Sequence, residues 1–314
     1  MKENIFKQKH LLSIEDLSAE EIDLILEIAE SFVEVSTRNI KKFPALKGKT
    51  VVNLFFENST RTRSSFEIAA KRLSADLINF SASISSLKKG ESLRDTVLTL
   101  EAMNPHIIVI RHSASGSPNY LTTFARSSIV NAGDGFHEHP TQALLDALTI
   151  KQKFNTLRGL KISIIGDILH SRVARSNIIL HHKMGNEISL IGPPSLVPKE
   201  FEQMGAKVYY NLKEGVKNSD IVMMLRVQEE RGSGNYFPSI REYRKLFEIN
   251  QETFSLAKKS AILMHPGPLN RDVEIETSLA DSDKSVILQQ VTNGIAIRMA
   301  VLYLLKGERN EIIN

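Results

Sequence analysis

Ser59-Thr60-Arg61-Thr62-Arg63 places two threonine hydroxyls and two guanidiniums in one turn of chain, behind a serine. The run follows directly on Val51 to Phe56, β-branched and aromatic as a buried central strand is, and it precedes Phe66, Ala69, Ala70 and Leu73 at helical spacing. Such a junction predicts a helix start with Ser59 as N-cap and the first N–H groups, residues 60 to 62, pointing out at the C-terminal edge of a sheet. With the positive end of the helix dipole, that geometry binds phosphate or carboxylate. Arg61 and Arg63 add guanidiniums that match a dianionic oxygen face bidentately. The competing reading is an ordinary capped helix with solvated arginines. Cations in a first turn oppose the dipole and need a compensating anion, which favours the cradle.

Other polar residues fall at predicted strand ends and helix starts. His106 to Arg111 reads as a buried strand ending in a cation. In His139-Pro140-Thr141-Gln142, Pro140 suits a first helical position, which puts His139 and Gln142 at the helix mouth. A neutral imidazole there can donate to a substrate carbonyl, although a histidine at a helix start is commonly just a cap. Ser81 to Gly90 is small and polar and reads as a mobile surface loop with Lys88 and Lys89 at its tip. Gly166-Asp167-Ile168-Leu169-His170-Ser171-Arg172 lacks the G-x-G-x-x-G of a dinucleotide site and carries an arginine at the helix start, which suits a small carboxylate. Arg226-Val227-Gln228 closes a further strand. Beyond it, Glu229 to Arg244 is charged and contains Gly and Ser, readable as a lid or as a disordered connection. His265-Pro266-Gly267-Pro268 is a proline-fixed turn able to present backbone carbonyls to an ammonium or amide.

The elements that must position these residues are legible as an alternation. A first helix opens on a capping box, Ser18 with Glu21, flanked by Leu17 and Ile22 as a staple, and carries Ile25, Leu26, Ala29, Phe32 and Val33 in one stripe. Strands are predicted at Val51–Phe56, Leu77–Phe80 and His106–Arg111, and Ile129–Gly135 reads as a strand followed by a turn. A second set falls at Ile162–Ile165, Ile188–Ile191, Val208–Tyr210, Ile221–Leu225, Ala261–Met264 and Val286–Leu288, with helices between most. The chain ends in a helix from about Val291 to Leu305 with Ile295, Met299 and Leu302 on one face. The fold expected is α/β: two doubly wound domains with parallel sheets, residues 1–152 and 153–290, and a C-terminal helix, residues 291–314, packing back on the first domain.

Composition bounds the rest. The 314 residues suffice for two domains, and a net charge of +4 with acids dispersed throughout fits small anionic substrates better than a nucleic-acid face. No cysteine is present, which excludes disulfides and thiolate metal sites. No uncharged apolar run reaches the roughly 18 residues of a spanning helix, so no membrane partner is expected. Met1 to His10 lacks the apolar core of a signal peptide, which leaves the cytoplasm as the expected compartment.

Taken in order, Ser59-Thr60-Arg61-Thr62-Arg63, Lys89-Gly90-Glu91, Arg111-His112, His139-Pro140-Thr141-Gln142, Arg172, Arg226-Val227-Gln228 and His265-Pro266-Gly267-Pro268 resemble the catalytic chains of aspartate carbamoyltransferases, from about Leu11 to Leu305. The first motifs are common to transcarbamoylases. The Arg-Val-Gln and HPxP segments resemble the aspartate branch, and the Ser-Met-Gly loop and His-Cys-Leu-Pro turn of the ornithine branch do not occur.

The resemblance implies transfer of a carbamoyl group from carbamoyl phosphate to L-aspartate, a step of pyrimidine biosynthesis. By it, Ser59, Thr60, Arg61, Thr62 and Arg111 hold the phosphate, His139 and Gln142 meet the carbamoyl group, and Arg172, Arg226 and Gln228 bind aspartate. The backbone at Gly267 and Pro268 positions the amine. Ser85 and Lys89 reach into a neighbouring subunit's site, Ser85 being chosen over Ser83 and Ser86 by its distance from Lys89, so a homotrimer is the minimal unit. Arg61, Thr62, Arg111, His139 and Lys89 form the catalytic set, with no cofactor or metal. Val173 departs from members with threonine there. A regulatory chain or a dihydroorotase partner is left open. The rival readings are a transcarbamoylase for another amino acid and a non-catalytic phosphate-ligand binding protein on the same fold.

Overall fold

The computed structural model describes residues 6–81, 91–226 and 239–306. The chain divides into two compact units, Met1–Leu148 with Thr292–Asn314, and Thr149–Val291. In the first, helix α1 (Ala19–Thr37) starts as its sequence demands: Ser18 Oγ accepts from Glu21 N at 3.2 Å, and Glu21 Oε2 accepts from Ser18 N at 3.0 Å. Leu17, Ile22, Ile25, Leu26, Ala29 and Phe32 are buried; Val33 is half-buried, and Val35 is buried in its place.

Strands β1 (Thr50–Phe55), β2 (Asp76–Ser81), β3 (Ile107–His112) and β4 (Ser128–Asp134) form a wholly parallel sheet in the order β2-β1-β3-β4. Their connections run through α2 (Thr60–Arg72), α3 (Leu93–Glu101) and α4 (Ser117–Thr122), and α5 (Pro140–Phe154) follows β4. Parallel strands covered on both faces read as continuous apolar runs, and Ile107, Ile108, Val109 and Ile110 are accordingly all buried. Successive strands step to one side from β1 to β2 and to the other from β1 to β3. The winding therefore reverses between β1 and β3, where an open α/β sheet leaves a crevice at its carboxyl edge.

The second unit carries β5 (Lys161–Ile165), β6 (Glu187–Ile191), β7 (Ala206–Tyr209), β8 (Ile221–Met224) and β9 (Ile262–Met264), all parallel, in the order β7-β6-β5-β8-β9. Its reversal lies between β5 and β8. Helices α6 (Arg172–Lys183), α7 (Leu212–Val216), α8 (Ile240–Phe247), α9 (Gln251–Phe254) and α10 (Thr277–Ala280) complete it. Ile165, Ile191, Val222, Met224 and Leu263 pack with Tyr243 and Phe247 in one core.

One predicted strand is absent. Val286–Leu288 makes only a single bridge, Leu263 with Ser285, after which Gln290 N bonds Val286 O and α11 (Ile287–Lys306) begins. A three-residue apolar run does not distinguish strand from helix start, and the alternation that follows here is helical. The expected helix thus begins four residues before Val291. From Thr292 on, it packs on the first unit, as anticipated: Tyr303 lies edge-on to Phe32 and Phe43 at 6.0 and 6.3 Å, and Arg298 sits 5.0 Å over the Phe66 ring. Among the described residues, no helix is long and apolar enough to cross a membrane.

Candidate active site

In the first unit, the C-terminal ends of β1, β3 and β4 lie side by side, and each delivers candidate residues to one edge. Phe56 N donates to Arg111 O at 2.9 Å, a link just past the end of β1, and the chain then turns through Glu57 and Asn58 into α2. Ser59 stands at the N-cap position with φ −158° and ψ 87°, but its hydroxyl caps no backbone N–H, contrary to the sequence expectation. The first helical bond runs from Arg63 N to Ser59 O at 3.1 Å, so the N–H groups of Thr60, Arg61 and Thr62 precede the helical ladder. Thr62 is buried on the face shared with Phe66, Ala69 and Ala70, whereas Thr60 and Arg61 are exposed and Ser59 and Arg63 half-buried.

Arg111 is buried, with Nη1 donating to Ala132 O at 3.1 Å and Nε lying 3.1 Å from Glu57 Oε2. Sequence reasoning passed over Glu57. Its signal was its place as the first charged residue after a buried strand. His112 packs against the Phe56 ring at 4.9 Å and accepts from Ala114 N at Nδ1 over 2.9 Å. Burial chiefly lowers its pKa, so the ring is neutral with its proton on Nε2.

The turn carrying His139 is fixed from below. Glu138 is fully buried, its carboxylate accepting from Ser13 Oγ and from Ile14 N at 2.9 Å, and Asp134 N bonds Glu138 O at 3.0 Å. Asp134 in turn accepts from Gly116 N at 2.8 Å, and burial pushes its carboxyl pKa up. His139 and Gln142 are themselves buried at the start of α5, and Gln142 Nε2 donates to Asp146 Oδ1 at 3.0 Å. Ser85, Lys89 and Gln228 lie outside the described residues.

The second unit repeats the arrangement. The chain leaves β5 through Gly166 at φ +129°, where a Cβ would meet Leu225 Cβ and O at 3.2 Å, so β5 and β8 close up here only with glycine. Asp167 follows, buried and accepting from His170 N at 3.1 Å, and burial raises its pKa. Ser171 Oγ caps α6 by accepting from Ala174 N at 3.1 Å. Arg172 is the first residue of α6 and is buried, and Arg226, two residues past β8, is half-buried.

Past β9, His265 is buried, its N donating to Gln290 Oε1 at 3.0 Å and its Nδ1 accepting from Gly267 N at 2.7 Å. That tight turn sets Gly267 at φ +66° before a cis bond to the exposed Pro268. Asn270 closes the turn onto buried Glu274 through N–Oε2 and Nδ2–Oε1 contacts of 2.8 and 3.0 Å. Each unit therefore presents cations and fixed backbone at the carboxyl edge of its own sheet. Ser59, Thr60, Arg61, Thr62, Arg111, His139 and Gln142 gather at the first edge. Arg172, Arg226, Gly267 and Pro268 gather at the second.

Comparison with known proteins matches one family domain to each half of the chain. Residues 9–152 match the family domain described as aspartate/ornithine carbamoyltransferase, carbamoyl-P binding domain, and residues 158–305 match its Asp/Orn binding domain. The chain is 57% identical over 302 residues to the aspartate carbamoyltransferase catalytic subunit of Syntrophus aciditrophicus, covering 96% of this chain and 98% of that one. The corresponding subunit of Moorella thermoacetica is 53% identical over 304 residues, covering 97% and 99%. Among solved structures, aspartate transcarbamoylase from Trypanosoma cruzi in complex with carbamoyl phosphate and aspartate superposes with a TM-score of 0.86 at 30% identity, covering 95% of this chain and 97% of that one. The catalytic subunit from M. jannaschii superposes at 0.82 with 34% identity, covering 95% and 98%.

Proposed function

The chain belongs to the aspartate/ornithine carbamoyltransferase family, as an aspartate carbamoyltransferase catalytic chain, and from that premise we propose how its residues divide the work. The reaction transfers the carbamoyl group of carbamoyl phosphate to the amine of L-aspartate, giving N-carbamoyl-L-aspartate and phosphate for pyrimidine biosynthesis. Residues 1–152 with the C-terminal helix, 291–314, take carbamoyl phosphate, and residues 153–290 take aspartate. The observation that carries this reading is the pair of winding reversals, each furnished with arginine: Arg111 where β1 and β3 part, Arg172 and Arg226 where β5 and β8 part.

Phosphate is held by Ser59, Thr60, Arg61, Thr62 and Arg111. Aspartate's two carboxylates are met by Arg172 and Arg226 with Gln228, where ornithine's cation would require an acid. The turn at Gly267 and Pro268 orients the amine. The neutral amine attacks the carbamoyl carbon, the C–N bond forms, and the tetrahedral intermediate collapses with cleavage of the C–O bond, one proton of the amine leaving with the phosphate. No protein nucleophile enters. Positioning and charge stabilisation do the catalysis: Thr62, Arg111 and His139 face the oxyanion, Arg61 and Lys89 the departing phosphate. Ser85 and Lys89 come from a neighbouring subunit of a homotrimer, and the enzyme works in the cytoplasm.

Phosphate release from carbamoyl phosphate by the purified chain, with aspartate, ornithine or no acceptor, tests the reading. Release with aspartate alone is expected. Release with another acceptor would sink the roles of Arg172 and Arg226. No release with any acceptor would leave the binding-protein alternative.

A further inference from the structure

Behind Gln142 stands a buried carboxylate to which the reaction described above gives no part. Gln142 Nε2 donates to Asp146 Oδ1 at 3.0 Å, one turn along α5. Asp146 is fully buried. Arg298 of α11 is also buried, and the negative charge of Asp146 raises its pKa against the larger opposing effect of burial. Burial lowers the guanidinium pKa to about 10, which leaves it protonated at neutral pH. Arg298 is itself immobilised: Nη1 donates to Ser65 Oγ at 2.7 Å and to Gly294 O at 3.1 Å, with the group over the Phe66 ring.

An amide has a donor end and an acceptor end, and an ionised carboxylate only accepts. Asp146 therefore decides which way the Gln142 amide points. With Nε2 held inward, Oε1 is turned away from Asp146. Among the described residues, Asp146 is the hydrogen-bond partner of that amide. A fixed acceptor beside a transferred acyl group favours one that bears N–H.

We propose that Asp146 is a positioning residue: by taking Gln142 Nε2 it leaves Oε1 as acceptor for the carbamoyl NH2, and so makes the enzyme select carbamoyl phosphate over its methyl isostere, acetyl phosphate. The inference rests on the reading that Gln142 meets the carbamoyl group. Asp146→Asn keeps the shape of the site but offers either an oxygen or an NH2, so the Gln142 amide can turn over. An outward NH2 opposes the carbamoyl NH2 and is indifferent to a methyl group.

The test is the ratio of kcat/KM for carbamoyl phosphate to that for acetyl phosphate, with aspartate as acceptor. Asp146→Asn and Gln142→Met should each lower the ratio by about 10- to 100-fold, the range for one misplaced buried hydrogen bond. The double variant should lower it no further, because both changes act through one amide. Equal losses with the two phosphates, or an additive loss in the double variant, would overturn the inference. An unchanged ratio in Gln142→Met would remove Gln142 from the carbamoyl group and overturn the underlying reading. A lowered ratio there with an unchanged one in Asp146→Asn would overturn the inference alone. Asp146→Glu keeps the charge but moves the carboxylate relative to Gln142 Nε2, and serves as the second route if Asp146→Asn does not fold. An unchanged ratio in that variant would also count against the proposal.

Discussion

The Arg111 guanidinium is met by a carboxylate of its own sheet edge: Nε lies 3.1 Å from Glu57 Oε2, and the two side chains are only 11% and 16% exposed. They come from adjacent parallel strands, Arg111 from the end of β3 and Glu57 two residues past β1. A guanidinium so placed would suffer desolvation without an anion, and the carboxylate supplies one. It also competes with any dianion for the same donors.

Glu57→Gln should therefore tighten inorganic phosphate by about tenfold, the equivalent of ~1.4 kcal/mol. Titration calorimetry at fixed ionic strength measures it directly. Unchanged or weaker binding would show that Glu57 does not compete for the Arg111 donors.

Arg172→Gln should raise the aspartate KM by roughly 10- to 100-fold, since a charge-assisted pair to a carboxylate contributes about 1.5–3 kcal/mol. The KM for carbamoyl phosphate should stay within about twofold, because on the proposed division of roles Arg172, in the second unit, serves aspartate. Steady-state kinetics with each substrate varied in turn separates the two. An aspartate KM that does not move would take Arg172 out of the acceptor site.

What was legible in the sequence is chemistry that sits at the junction of two regular elements. Arg61 and Thr62 after an apolar strand, Arg172 after Gly166, and Pro140 at the first position of α5 each have a local physical reason, and a local reason can be read along the chain. Glu57 was hidden because its meaning is its partner, Arg111, which parallel pairing brings alongside from 54 positions away. Val286–Leu288 misled for the opposite reason: three apolar residues satisfy either period, and only the backbone bond from Gln290 N to Val286 O decides between them. Ser59 has the right residue type at the right place without the bond that type usually makes.

The second unit should lose stability on the acid side through His181. This imidazole is fully buried, its Nδ1 facing Asn186 Nδ2 at 3.0 Å, and burial drives its pKa to about 3. Its folded pKa lies below the unfolded value of about 6.5, so between those limits the unfolded chain binds the extra proton. The contribution is whole above about pH 6.5 and is lost as pH falls toward 3, at up to about 1.4 kcal/mol per pH unit. His181→Gln, whose carbonyl can still accept from Asn186, should flatten the slope between pH 6 and 4 by up to one proton. Urea unfolding at those two pH values checks it. An unaltered slope would place the acid sensitivity elsewhere.

Arg61 and Lys89 belong, on the proposed assembly, to one site but to two chains. Arg61 is exposed at the start of α2 and buries no core, so Arg61→Ala should leave the fold within about 0.5 kcal/mol of the parent. Losing one oxyanion or phosphate contact should still cost ~100-fold or more in turnover. Lys89→Ala should be comparably inactive. If each site takes Arg61 from one chain and Lys89 from its neighbour, random trimers from equal amounts of the two variants leave about one site in four with both residues intact. Mixing after reversible dissociation should then recover up to about a quarter of parental activity, from parents that have almost none. A site built within one chain can never be repaired this way, because every chain in the mixture carries one lesion. Hybrids without recovered activity, with subunit exchange confirmed by a mass or charge tag, would place Lys89 and Arg61 in the same chain's site or remove one of them from it.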